Sequence, residues 1–202
     1  MGETKETRRL VSITDPPFAR ALFGDVQYHW IWLLARLWVG YQWVTSGTGK
    51  LGDPKWMETG VALKGFWERA VMVPPQGRPP IVFDWYRDFI RFLLDSGSYT
   101  WFAKLVATGE TLVGIALIVG AFVGVAAFLG AFMNWNFMMA GTASTNPAMF
   151  AVALVLVLAW KTAGYWGVDR WLLPALGTPW GPGRVFVNGP ELAVQTQEVR
   201  TD

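Results

Sequence analysis

The chain has 202 residues, 52% of them hydrophobic and only 16% charged, with a formal net charge of +2. So small a charge, without a basic stripe, argues against nucleic-acid binding. Cysteine is absent and His29 is the single histidine, which excludes disulfides, thiolate-held iron–sulfur clusters, CxxCH haem attachment and, within one chain, bis-histidine haem.

Residues 1–27 are polar, with Lys5, Arg8, Arg9 and Arg20 set against Glu3, Glu6, Asp15 and Asp25. They hold no short apolar core followed by a small-residue cleavage site, so a cleaved signal peptide is not expected. The expectation is a short interfacial or disordered arm. The first predicted membrane crossing covers 28–47 and contains Arg36, which is costly in lipid unless paired, hydrated or turned inward. At helical spacing Arg36, Gly40, Trp43, Gly47 and Lys50 share one face, whose small residues suit close approach of a second helix.

Residues 51–98 are expected outside the membrane core. Asp53-Pro54 reads as an N-cap with proline at the first helical position, and the segment to about Val71 as an imperfect amphipathic helix. The proline-rich stretch 73–80 predicts a turn. Asp84 is then expected to cap a helix with Trp85, Phe89 and Phe92 on one face, suited to the headgroup layer. Lys50 to Ser98 holds seven Lys/Arg and six Asp/Glu, so this loop is no positive funnel for an anion and reads more simply as a solvated cap.

From Thr111 to Trp160 there is no Asp, Glu, Lys, Arg or His. One crossing takes about 20 apolar residues, so the apolar run 99–140 divides into two, 99–119 and 121–140, with a tight turn near Gly120. Gly120 and Gly124 form a GxxxG spacing that could mark close helix packing. Glu110 lies inside the second crossing, where an ionisable group is a functional candidate by default. Two roles are open to it, carrying a proton or an ion pair with Arg36 that locks the first helix to the second. Asn134 and Asn136 cannot share a face, so one is expected to look into the bundle and the other to the interface. The fourth crossing, 148–166, follows Asn146-Pro147 and leads into Lys161, Tyr165 and Asp169 at four-residue spacing. That stripe offers an ammonium, a phenol and a carboxylate to a quinone carbonyl, although lysine and tyrosine at helix ends are also ordinary interfacial anchors. His29 reads as an interface residue, and the crossings carry too few ligands for a metal site. Residues 175–202 form a turn-rich, polar tail.

The expected fold is therefore all-α: an integral membrane four-helix bundle over 28–174, with an amphipathic interfacial helical loop between helices 1 and 2. Four crossings put both termini on one side, and the basic residues flanking them favour the cytoplasm.

Three stretches resemble the DoxX/DoxD family of small prokaryotic four-helix membrane proteins. They are Arg36-x-x-x-Gly40 with Ser46-Gly47-x-x-Lys50-Leu51, then Gly109-Glu110 before a glycine-spaced apolar run, and the closing AGYWGVDRWLLP at 163–174. The resemblance implies a cell-membrane protein like the large subunit of thiosulfate:quinone oxidoreductase, which oxidises thiosulfate to tetrathionate and reduces quinone beside a smaller partner subunit. It carries over Arg36, Lys50, Glu110 and Asp169 as the matching polar positions. On this reading Glu110, Arg36 and Asp169 are the catalytic candidates, and Lys50, Asn134, Lys161 and Tyr165 hold quinone or substrate. Quinone is the acceptor, without protein-ligated haem, cluster or metal. The alternative is a non-catalytic accessory subunit of a larger respiratory or other energy-transducing membrane complex, in which the same polar residues pin the helices together.

Overall fold

A computed structural model describes residues 15–177. All regular structure among them is helical: α1 (Pro17–Gly24), a 3-10 turn (Val26–Tyr28), α2 (His29–Leu51), α3 (Pro54–Met57), α4 (Val61–Ala70), α5 (Asp84–Asp95), α6 (Tyr99–Val119), α7 (Val123–Met139), α8 (Asn146–Leu158), α9 (Trp160–Ala163) and α10 (Asp169–Ala175). The four longest close a ring: α2 lies along α6, α6 on α7, α7 on α8, and α8 returns to α2. Among the described residues α6 alone is both long and apolar enough to cross a membrane, while α7 and α8 are apolar but shorter.

Close contact between α2 and α6 follows from two glycines. A Cβ on Gly114 would sit 2.6 Å from the Val44 backbone nitrogen and 2.8 Å from the Gly40 carbonyl oxygen. Backbone meets backbone there, as small residues at a helix crossing allow. Trp32, Val39, Trp43, Val113, Leu117, Val123 and Leu156 fill the core inside the ring. Outside it, Leu34, Leu37, Leu105, Leu112, Ile115, Val125, Phe128, Phe132 and Leu158 are all exposed.

The 51–98 segment has its own core, in which Leu63 and Trp67 of α4 meet Tyr86, Ile90 and Leu93 of α5 and Ala103 of α6. Asp53 caps α3 by accepting from the Lys55 backbone N–H at 2.9 Å. The expected single helix to Val71 is instead two, α3 and α4, because the chain turns at Gly60 (φ +70°). Asp84 is not the cap of α5: it is the first helical residue, and its carboxylate takes Arg87 at 2.6 Å. Arg87 also donates to the Ile81 carbonyl at 2.6 Å, tying the proline-rich turn to α5. Trp85, Phe89 and Phe92 stay exposed on the opposite face.

The Tyr86 hydroxyl, buried in this second core, donates to the Asn136 carbonyl oxygen at 3.1 Å and lies 3.2 Å from its Oδ1. Burial pushes this phenol up to about 12, because the charged form loses water it cannot replace.

Three further expectations are corrected. Residues 148–166 are not one helix: α8 ends at Leu158, and α9 and a turn follow. Residues 17–24 of the expected arm form α1, which packs on α9, with Thr162 Oγ1 donating to the Phe23 carbonyl and Trp32 Nε1 to that of Leu22. Gly120 and Gly124 do not make a helix-packing motif, since Gly120 is the left-handed C-cap of α6 (φ +71°) and lies in the turn before α7. Residues 1–14 and 178–202, parts of the arm and tail, lie outside the described residues.

Candidate functional site

The sequence-predicted polar residues separate into two centres. In one, Lys50, the last basic residue of α2, donates from Nζ to Glu110 Oε2 on α6 at 2.6 Å and to Ser46 Oγ at 2.6 Å. The ammonium also lies 5.2 Å from the centroid of the Trp56 ring. Serine and lysine one turn apart on the buried face of α2, facing a glutamate in mid-α6, are placed by the Gly40–Gly114 contact. Glu110 is 1% exposed, whereas the Lys50 side chain is 20% exposed. Ser46 interacts with the same carboxylate, and Oε1 has no hydrogen-bond partner among the described residues.

This pair lines a cavity of about 610 Å³, the size of a small-molecule site. Trp43, Trp56, Leu63, Phe66 and Phe137 form apolar walls, and Arg69, Thr142, Ser144, Thr145 and Asn146 supply polar groups from α4 and the α7–α8 connection. The cavity therefore combines aromatic surface with one buried ion pair.

The second centre lies where α6 turns into α7. Arg36 donates to the Leu117 carbonyl at 3.3 Å and to the Trp166 carbonyl. Asp169, fully buried at the start of α10, accepts the first backbone N–H groups of α7, Phe122 at 2.6 Å and Val123 at 2.8 Å. A carboxylate at a helix N-terminus is favoured by the unpaired N–H groups there. Arg36 and Asp169 attract one another electrostatically. Gly120 lets this happen, since any Cβ there would occupy the place of the Arg36 guanidinium. Beside Asp169 a smaller cavity of about 340 Å³ is lined mainly by Phe122, Val125, Val157, Trp160 and Leu173.

The expected Arg36–Glu110 pair does not form. Arg36 and Lys50 are fourteen residues apart on α2, about 21 Å at 1.5 Å per residue, and of the two it is Lys50 that Glu110 meets. Nor do Lys161, Tyr165 and Asp169 form a stripe, because the helix breaks between them. Lys161 is exposed, with its ammonium 5.9 Å from the Trp160 ring centroid. The Tyr165 ring is 5.2 Å from that of His29, beneath the Arg170 guanidinium. Since His29 opens α2, Tyr165 is about 30 Å from Lys50. Lys50, Lys161 and Tyr165 thus cannot hold one head group.

Asn134 is fully buried on α7, and neither its amide nitrogen nor its oxygen has a partner among the described residues. It lies one turn beyond Gly130, against which Trp43 packs, and so comes near the level of Glu110. Asn136 is half-buried and turned to Tyr86, so the two asparagines do face different ways. Sequence reading missed Ser46, Trp56, Arg69 and the 142–146 connection. The available signal was Ser46 and Lys50 at i, i+4 beyond an arginine on the same face. No group of three metal-ligating side chains occurs among the described residues.

No protein family, curated protein or solved structure matches the chain.

Proposed function

We propose that the chain is the membrane subunit of a quinone-linked oxidoreductase of the DoxX/DoxD type, with α2, α6, α7 and α8 as a bundle crossing the cell membrane of a prokaryote. The belt of exposed leucine, isoleucine, valine and phenylalanine around the ring supports the membrane setting, because a soluble monomer rarely exposes so continuous an apolar surface. The observation that carries the chemistry is the cavity that joins aromatic walls to the Lys50–Glu110 pair.

A planar quinone head fits between Trp56, Phe66 and Phe137. Glu110 is the proton-carrying group, and Lys50 with Ser46 holds its second oxygen in place. Two thiosulfates give one tetrathionate and two electrons, and quinone takes those electrons with two protons to become quinol. Thiosulfate binds outside the ion pair, at the loop side or on a smaller partner subunit, since the Lys50 charge is already balanced. Arg36 and Asp169 act at a distance from this chemistry, fixing the α6–α7 turn.

The test is thiosulfate-dependent quinone reduction by the gently solubilised complex, comparing wild type with Glu110→Gln at equal assembly. Activity in wild type, lost in the assembled variant, supports the assignment. A quinone-replete, fully assembled wild type without activity favours the accessory-subunit reading instead.

A further inference from the structure

We infer that α5 and the turn before it are seated in the bilayer surface, with Val82, Phe83, Trp85, Phe89 and Phe92 entering the boundary between headgroups and acyl chains. The inference rests on the membrane setting proposed above and not on the redox chemistry. At about 3.6 residues per turn α5 divides into three sectors. Tyr86, Ile90 and Leu93 face the second core. Asp84, Asp88, Arg91 and Asp95 are exposed together on another side. Trp85, Phe89 and Phe92 make the third, and are 59%, 45% and 67% exposed. A helix on a solvated cap needs only the first two. An added sector that is wholly aromatic and open suits a helix that meets core, water and lipid at once.

What covers this face follows from what it continues. Val82 and Phe83, both exposed, extend it into the preceding turn. The Trp85 ring packs on Tyr86 with centroids 5.5 Å apart, Tyr86 on Trp135 of α7 at 6.4 Å, and Trp135 on Phe132 at 6.1 Å. From Phe132 the exposed row runs at helical spacing through Phe128 to Val125. The aromatic face of α5 therefore joins the apolar belt around the ring. Both ends of α5 lie at one end of the bundle: the Tyr86 hydroxyl donates to Asn136 near the finish of α7, and the Ser98 N–H donates to the Leu93 carbonyl at 3.0 Å where α6 begins. The helix crosses that end instead of running along the bundle, which is the level at which tryptophan collects in membrane proteins. With two arginines against three aspartates, α5 attaches by aromatic insertion and not by attraction to anionic headgroups. Leu63 belongs to the second core and also lines the Lys50–Glu110 cavity, so seating α5 in the surface sets that cavity beside the headgroup layer.

The absence of cysteine lets a single introduced cysteine carry a nitroxide label on the full chain. The positions are Phe89→Cys and Phe92→Cys on the aromatic sector, Asp88→Cys and Asp95→Cys on the charged one, and Phe128→Cys on the α7 belt. Each labelled protein is placed in phosphatidylcholine liposomes, and electron paramagnetic resonance measures collision with oxygen, which concentrates among acyl chains, and with a water-soluble nickel chelate. The oxygen-to-nickel ratio should be several-fold higher at Phe89, Phe92 and Phe128 than at Asp88 and Asp95.

A nickel-favouring label at Phe89 or Phe92, beside an oxygen-favouring one at Phe128, overturns the seating of α5 and leaves the membrane bundle in place. Labels at Phe89 and Phe92 shielded from both reagents show that a protein surface covers the face, and overturn it too. Oxygen-favouring labels at Asp88 and Asp95 sink the whole helix and refute a surface position. A nickel-favouring label at Phe128 takes down the membrane setting itself. All five side chains are exposed, and either aromatic position set against either aspartate decides the matter if one variant fails to fold.

Discussion

Removing the charge of Lys50 by Lys50→Met should destabilise the protein through Glu110 rather than through lost lysine packing. The carboxylate is 1% exposed, and its cationic partner among the described residues is the ammonium 2.6 Å away. Losing one member of a buried pair costs about 3–5 kcal/mol, because the other charge is stranded. A ceiling applies: a stranded carboxylate takes up a proton. At 1.36 kcal/mol per pH unit, neutralising a glutamate costs about 3.7 kcal/mol at pH 7 and about 1 kcal/mol at pH 5. The expected loss is thus about 3–4 kcal/mol at pH 7, shrinking towards acid.

The double replacement Lys50→Met with Glu110→Leu has no stranded charge and should recover most of the loss, with a coupling energy of about 2–3 kcal/mol. Thermal unfolding of the four proteins in detergent at pH 5 and pH 7 reads this directly. Additive losses, or a Lys50→Met penalty that does not change with pH, would refute the pair as the dominant interaction at this site.

Gly114→Val should cost about 3 kcal/mol or more, since its Cβ would meet the α2 backbone at Val44 and Gly40. Gly49→Ala, on α2 with nothing within 4 Å of its Cβ position, should stabilise by up to about 1 kcal/mol, and thermal melts of the two variants should move in opposite directions. Asp169→Asn removes a charged acceptor for Phe122 and Val123 and should cost about 1–3 kcal/mol; an unchanged melting temperature would show that the α7 N-terminus does not need it. Tyr86 is raised to about 12 by burial, so its contribution is intact below the usual tyrosine value of about 10 and is lost as pH climbs through 12. Tyr86→Phe should therefore flatten the alkaline limb of the stability curve between those values, measured by helical circular dichroism against pH.

Apolar patterning located the helices because the 99–140 run is almost wholly apolar and too long for one helix of ordinary length. The break at Gly120 was legible for the same reason, as two helices of ordinary length need a left-handed residue between them. Charge pairing was not legible. Arg36 and Glu110 read as partners because each is conspicuous alone in an apolar helix, yet their pairing depends on the offset between α2 and α6. That offset is set by Gly40 seating against Gly114, and it brings Glu110 level with Lys50 instead. The stripe through Lys161, Tyr165 and Asp169 failed on a different physical ground: four-residue spacing places residues on one face only while the helix continues, and α8 stops at Leu158. Asp169 is conspicuous by its position, but the donors it serves, Phe122 and Val123, lie 47 and 46 residues away in sequence.

The two polar centres differ in how they use their carboxylates. At the α6–α7 turn the Arg36 guanidinium bridges two carbonyls and Asp169 closes a helix N-terminus with both carboxylate oxygens. Such an arrangement fixes backbone, although the Arg36 Nε is left without a partner among the described residues. At the other end the Lys50–Glu110 pair spends one carboxylate oxygen and keeps the other, beside a cavity large enough for a ring. Leaving an acceptor unmet in a buried site costs stability unless something else meets it. Both carboxylate oxygens of Asp169 are met within the fold, whereas Glu110 is met at one, and that is why the proposed site is placed at the Lys50–Glu110 centre.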